Sequence, residues 1–80
     1  MKLYIAPHSP SCRKILALVK YLELEVEIIT LNFQAGDMQK PEFLKMNPTG
    51  KVPVFEDDGF YVWESNAIME YLLIFFNQSK

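Results

Sequence analysis

Cysteine occurs once and histidine once in these 80 residues. A single cysteine excludes an internal disulfide and gives no metal cluster, so a reducing compartment is expected. Charge is not in excess either: eight basic side chains face ten acidic ones, for a net charge of -2. The lysines are scattered rather than clustered, which leaves no long-range field for nucleic acid. Long apolar runs are missing too. The longest, Tyr71 to Phe76, falls far short of the roughly 18 residues a membrane span needs. No charged leader precedes a long apolar run, so no signal peptide is expected. Repeats and low-complexity segments are absent. These absences predict a soluble, cytoplasmic protein that acts on neither nucleic acid nor membrane.

What is present is apolar and patterned. Half the residues are hydrophobic and 22% are charged, the composition of a folded domain rather than a disordered segment. A chain this short buries roughly 60–65% of its unfolded surface and is marginally stable alone. It has room for one core, so residues 1–80 are expected to form a single domain.

Lys2 to Ala6 is rich in strand formers and stops at Pro7, which predicts a first strand. Ser9-Pro10 is a helix start, a capping hydroxyl followed by proline at the first helical position. Ile15, Leu16, Leu18, Val19 and Leu22 follow at helical spacing, so an amphipathic helix runs from Pro10 to Leu22. Glu25 to Leu31 alternates and is β-branched, a second strand. The crossover between the two makes them parallel. Asn32 to Gly36 reads as a loop. A short helix spans Lys40 to Met46, opened by Pro41 and closed by Asn47-Pro48. Lys51 to Phe55 reads as a third strand with a proline inside it. Asp57-Asp58-Gly59 is a hairpin signal, so Phe60 to Trp63 returns antiparallel. Ser65 caps a last helix that runs through Phe75.

The order β-α-β-α-β-β-α predicts an α/β fold of the thioredoxin-like type, a four-stranded mixed sheet flanked by three helices. The last helix is apolar on more than one side, since Leu72 to Phe76 are consecutive. A surface helix shows one stripe, and five successive apolar residues cannot all face one small sheet. A second layer over this helix is expected, the alternative being that its end inserts into its own core.

Three segments together resemble the glutathione transferase family. They are Ser9-Pro10-Ser11-Cys12-Arg13-Lys14, Pro41-Glu42-Phe43-Leu44 through Asn47-Pro48-Thr49-Gly50-Lys51-Val52-Pro53, and Trp63-Glu64-Ser65-Asn66-Ala67-Ile68. The likeness spans the chain in order, and it is strongest to the serine-using theta, delta, phi and bacterial branches. It implies the glutathione-binding N-terminal domain of an enzyme that joins the glutathione thiolate to small electrophiles. Glutathione would be a co-substrate, with no metal. The family's all-helical second domain, which supplies much of the electrophile pocket, has no counterpart in these residues, and the full-length protein would be a homodimer. A non-catalytic binding or dimerisation module is the other function such a domain serves.

The resemblance assigns thiol activation to Ser9, with Ser11 as a local rival and Tyr4 as a distant one. Lowering a cysteine thiol from about 8.5 to about 6.5 takes roughly 2.7 kcal/mol. A hydrogen bond to charged sulfur supplies ~1.5–3 kcal/mol and a helix N-terminus ~0.3–1 kcal/mol, so the two suffice. Ser9 equally serves as an ordinary cap. Cys12 mimics the second cysteine of a redox pair whose nucleophile is missing, and it reads as a packing residue. His8 reads as a bystander. Arg13 reads as loop support through its guanidinium.

The family carries a cis proline at the position of Pro53. There the amide and carbonyl of Val52 would pair with an extended peptide, as in strand addition. Glu64 and Ser65 would hold the γ-glutamyl end, although a plain helix cap with an acidic neighbour reads the same way. Trp63 reads as hairpin and core packing. For the glycyl carboxylate, Met38 and Gly50 stand where theta- and delta-like relatives have histidines. Lys51 is the expected donor, with Gln39 and Lys40 in reserve.

Overall fold

Strand β1 (Lys2–Ile5) turns Leu3 and Ile5 to one face of the sheet and Tyr4 to the other, and it is paired along both edges. The computed structural model describes residues 1–76. After β1 come α1 (Pro10–Tyr21), β2 (Glu27–Thr30), a 3₁₀ turn (Asp37–Gln39), α2 (Pro41–Met46), β3 (Val54–Asp57), β4 (Phe60–Trp63) and α3 (Ser65–Phe76). The strand order is β2-β1-β3-β4. β1 pairs with β2 in parallel and with β3 antiparallel, and β3 pairs with β4 antiparallel. The expected mixed four-stranded sheet with three α-helices is what the chain forms.

Alternation along β1 and β3 divides the interior in two. Leu3, Ile5 and Phe55 enter one core with Cys12, Ile15 and Val19 of α1 and Ile68 and Leu72 of α3. Val54 points the other way and packs with Met38 and Phe43, with Tyr4, Ala6 and Leu31 at the margin. Each fully buried aliphatic or aromatic side chain contributes roughly 1.5–3 kcal/mol. The first core is the larger and fixes α1 and α3 on one face. The second holds α2 and the 3₁₀ turn on the other.

Turn chemistry explains the hairpin. Asp58 and Gly59 both have positive φ, 51° and 86°, as the two-residue primed turn requires. The Glu56 carboxylate accepts the Gly59 amide at 2.8 Å.

Several boundaries differ from the sequence expectation. The third strand begins at Val54 and not at Lys51, so no proline lies within it. The first ladder pair is Tyr4 with Val54, and Pro53, which has no amide to donate, stands just outside. Glu25 and Val26 precede β2 rather than belong to it. Ser65 does not cap α3 but is its first residue: the Glu64 carbonyl accepts the Ile68 amide at 3.0 Å, which makes Glu64 the cap position. The Asp37–Gln39 turn was not foreseen. It forms because the Asp37 carboxylate accepts the Asn32 amide at 2.8 Å and meets the Lys40 ammonium at 3.0 Å.

Candidate functional site

The loop after α2 and the start of α3 come together beside the N-terminus of α1. Between them is a cleft of about 350 Å³ lined by Lys51, Val52, Pro53, Glu64 and Ser65, with Ser11, Asn47, Thr49 and Trp63 completing the wall. Five of the residues expected at the site therefore share one depression.

The Val52-Pro53 bond is cis, in keeping with the family resemblance. Pro53 is buried and Val52 half-buried. Among the described residues, neither the amide nor the carbonyl of Val52 bonds to another backbone group. An extended ligand could therefore use both. Gly50 sets the approach to this segment with φ 69°. A Cβ there would come within 3.3 Å of the Met38 carbonyl and the Gln39 side-chain amide, so only glycine fits without displacement. Met38, buried in the second core, and Gly50 carry no cationic group for a ligand carboxylate.

Glu64 has φ 76°, a left-handed conformation that costs a non-glycine residue on the order of 1–3 kcal/mol. The turn directs the chain from β4 into α3 across the cleft wall. The first-turn amides of α3 have no partner within the helix, and Ser65 adds its hydroxyl. This end of the cleft suits a carboxylate.

Ser9, Gln39 and Lys40 are not part of the cleft lining. Ser9 is half-buried at the cap of α1, where its Oγ accepts the Cys12 amide at 3.4 Å. That bond leaves the hydroxyl hydrogen available for donation. Ser11, two residues further, does line the cleft. Gln39 lies over Gly50, next to the cleft loop. Lys40 is engaged by Asp37 and borders a separate hollow with Tyr4, Glu42 and Phe43. The Asn32 amide, and then the Lys40 ammonium, hold the Asp37 carboxyl below its ordinary range, while Asp37 raises Lys40 in turn.

Tyr4 does not line the cleft. It packs edge-on to Phe43 at 6.4 Å, and burial pushes its phenol up. Cys12 is buried in the first core. His8, with φ 69°, borders a second hollow of about 440 Å³ with Pro7, Asn32 and Phe33. Arg13 does not hold the loop through its side chain as expected; its backbone amide makes the ordinary first-turn helix bond to the Ser9 carbonyl at 3.1 Å. Its guanidinium is exposed and has no partner among the described residues. Trp63 lines the cleft instead of serving only as hairpin packing.

Sequence reasoning assigned no site role to Asn47 or Thr49. Asn47 is buried, and its side chain binds Thr49 and the Lys51 carbonyl. The available signal was an asparagine at a helix end with a polar residue two positions on, the pattern of an Asx turn.

A parallel βαβ unit followed by ββα, with a cis proline opening β3, defines the thioredoxin-like class. Within that class the family is shown by comparison. Residues 1–73 match the family described as glutathione S-transferase, N-terminal domain, and this chain belongs to that family. Glutathione S-transferase D7 of Anopheles gambiae is 41% identical over 71 residues, covering 89% of this chain and 33% of that protein. A glutathione S-transferase of Hyoscyamus muticus is 40% identical over 72 residues, 90% of this chain and 34% of that one. Among solved structures, the glutathione transferase BmGSTD1 of Bombyx mori superposes with a TM-score of 0.92 at 42% identity, covering 98% of this chain and 36% of its own. URE2P6 of Phanerochaete chrysosporium, solved in complex with oxidized glutathione, gives 0.94 at 36% identity over 99% of this chain and 37% of its own. The chain thus spans about a third of the length of these relatives. Among the described residues, no helix is long and apolar enough to cross a membrane.

Proposed function

We propose that this chain binds glutathione and forms the thiol-activating half of a cytoplasmic, homodimeric enzyme that conjugates glutathione to small electrophiles. The observation that carries this reading is the cleft itself. One wall offers the unpaired amide and carbonyl of Val52, and the other offers the first-turn amides of α3. A γ-linked tripeptide laid along Val52 would direct its α-carboxylate to Ser65 and its ammonium to Glu64. Lys51, exposed at the rim, is the donor for the glycyl carboxylate. Ser9 donates its free hydroxyl hydrogen to the thiolate, which supplies ~1.5–3 kcal/mol toward ionisation. Electrophile recognition and dimer contacts belong to a helical second domain of the full-length protein.

A binding or dimerisation module without turnover is the second reading. It is favoured by Ser9 lying outside the cleft lining. Two measurements separate the readings. Calorimetric titration of the full-length protein with reduced glutathione is expected to give a dissociation constant of ~1 mM or below, about -4 kcal/mol or better. Conjugation of a generic aryl halide is expected, falling roughly 10- to 100-fold in Ser9→Ala. Glutathione binding without conjugation would select the module. An unaltered rate in Ser9→Ala would remove that serine from the chemistry.

A further inference from the structure

Asn47 is the one buried polar residue among the described residues, only 2% exposed, and it lines the cleft. Its side chain is used at both ends. Nδ2 donates to the Lys51 carbonyl at 2.9 Å, while Oδ1 accepts the Thr49 amide at 3.0 Å and the Thr49 hydroxyl at 2.8 Å. Its backbone is engaged as well. The Asn47 amide donates to the Phe43 carbonyl, and its carbonyl accepts the Gly50 amide, each at 3.0 Å. One residue therefore fastens residues 49–51 to the end of α2, and α2 is itself anchored in the second core by Phe43.

The bond to Lys51 reaches further than Lys51. A trans peptide unit is planar, with its carbonyl and its amide hydrogen pointing in opposite directions. The Lys51 carbonyl and the Val52 amide share such a unit. Holding the carbonyl on Asn47 therefore sets the direction of the Val52 amide, which has no backbone partner of its own. Without the Asn47 donor, that peptide could rotate about its flanking bonds and the Val52 amide would lose its fixed aim.

We infer that Asn47 is a positioning residue for glutathione: through the Lys51 carbonyl it orients the Val52 amide for the cysteinyl backbone of the ligand. This rests on the reading of the cleft as a glutathione site. Asn47→Asp keeps the shape and the acceptor toward Thr49 but sets a carboxylate oxygen against the Lys51 carbonyl. Thr49→Val removes only the hydroxyl that helps hold Asn47.

The test compares the full-length wild type with Asn47→Asp, Asn47→Ala and Thr49→Val, reading glutathione binding by calorimetry, steady-state kinetics in each substrate, and thermal melting. Asn47→Asp and Asn47→Ala are expected to raise the glutathione Kd and KM about tenfold. Electrophile KM, and kcat at saturating glutathione, should stay within about twofold of wild type, a split that a general loss of fold would not produce. Thr49→Val should raise the glutathione KM by about two- to threefold. A lower melting temperature with unchanged glutathione KM in the Asn47 variants would make Asn47 a packing residue only and overturn the inference. Should both Asn47 variants fail to fold, Thr49→Val decides, and an unchanged glutathione KM there overturns it. A wild type that binds no glutathione overturns the underlying reading, and this inference with it.

Discussion

Helices α1 and α3 are both twelve residues long, lie on the same face of the sheet and pack against each other. Their inner sides are alike: Ile15 and Val19 of α1 meet the same core as Ile68 and Leu72 of α3. Their outer sides are not. α1 turns Arg13, Lys14 and Lys20 to water, with Tyr21 at its last position the one large apolar side chain it exposes, near the single stripe of a finished surface helix. α3 turns out Leu73, Ile74 and Phe75, with Ile74 65% exposed, and Glu70 is its one charged residue. Burial within this domain accounts for one stripe of α3; beyond Asn66 and Glu70 the remaining exposed side, Leu73 to Phe75, is apolar, and an exposed apolar patch marks a surface built to be covered. That fits the helical second domain proposed for the full-length protein.

The inner sides set the largest expected effect. Ile15→Ala and Leu72→Ala, each at a fully buried position, should both destabilise by about 2–5 kcal/mol in denaturant unfolding. A loss at Leu72 well below that at Ile15 would mean that α3 is less firmly seated than α1, and the comparison would break.

A smaller effect belongs to Tyr71, which ties α3 to the hairpin. Its phenol donates to the Asp57 carboxylate at 2.8 Å, and its ring lies 5.8 Å from that of Phe60. Tyr71→Phe should cost about 1–1.5 kcal/mol. The bond to Asp57, and then burial, raise the phenol above its ordinary value. Its stabilising contribution is therefore complete below the unfolded value of about 10 and is lost as pH rises through the folded one. Alkaline unfolding should be steeper in the wild type than in Tyr71→Phe, the residual slope of the variant coming from Tyr4 and Lys40, which are raised as well. Equal slopes would remove Tyr71 as its source.

The outer sides give the smallest effect on stability. Replacing Leu73 and Ile74 of the 80-residue chain by serine should change stability by no more than about 0.5 kcal/mol per site, while light scattering should show reduced self-association. The same changes in the full-length protein should cost more, since there the patch is expected to be covered. Equal costs in both would refute the covered-face interpretation.

Most of the fold was legible in the sequence because local signals and packing agree. Ser9-Pro10, the Asp-Gly turn and the spacing of Ile15, Val19 and Leu22 each specify one structure, and the chain adopts it. Lys51 and Val52 have the composition of a strand, but the ladder needs amides and Pro53 has none, so pairing starts one residue after it. The Asp37–Gln39 turn depends on a carboxylate meeting an amide five residues earlier, a contact that no periodicity encodes. For the candidate site, Val52, Pro53, Glu64 and Ser65 were assigned through the family motif, and the structure brings them to one cleft. Asn47 was missed because its role depends on the direction of the Lys51 peptide, which only three dimensions supply.

The strand order β2-β1-β3-β4 has one more consequence. It leaves two rims where backbone donors and acceptors face no neighbouring strand. The β2 rim is short and carries Glu27, with Glu25 just before it, and like charges there would repel a second copy brought alongside. The β4 rim, Phe60–Trp63, has no charge within its four residues. The nearest charges, Asp58 and Glu64, stand only at its two ends, so of the two borders it is the less guarded against a strand from another molecule.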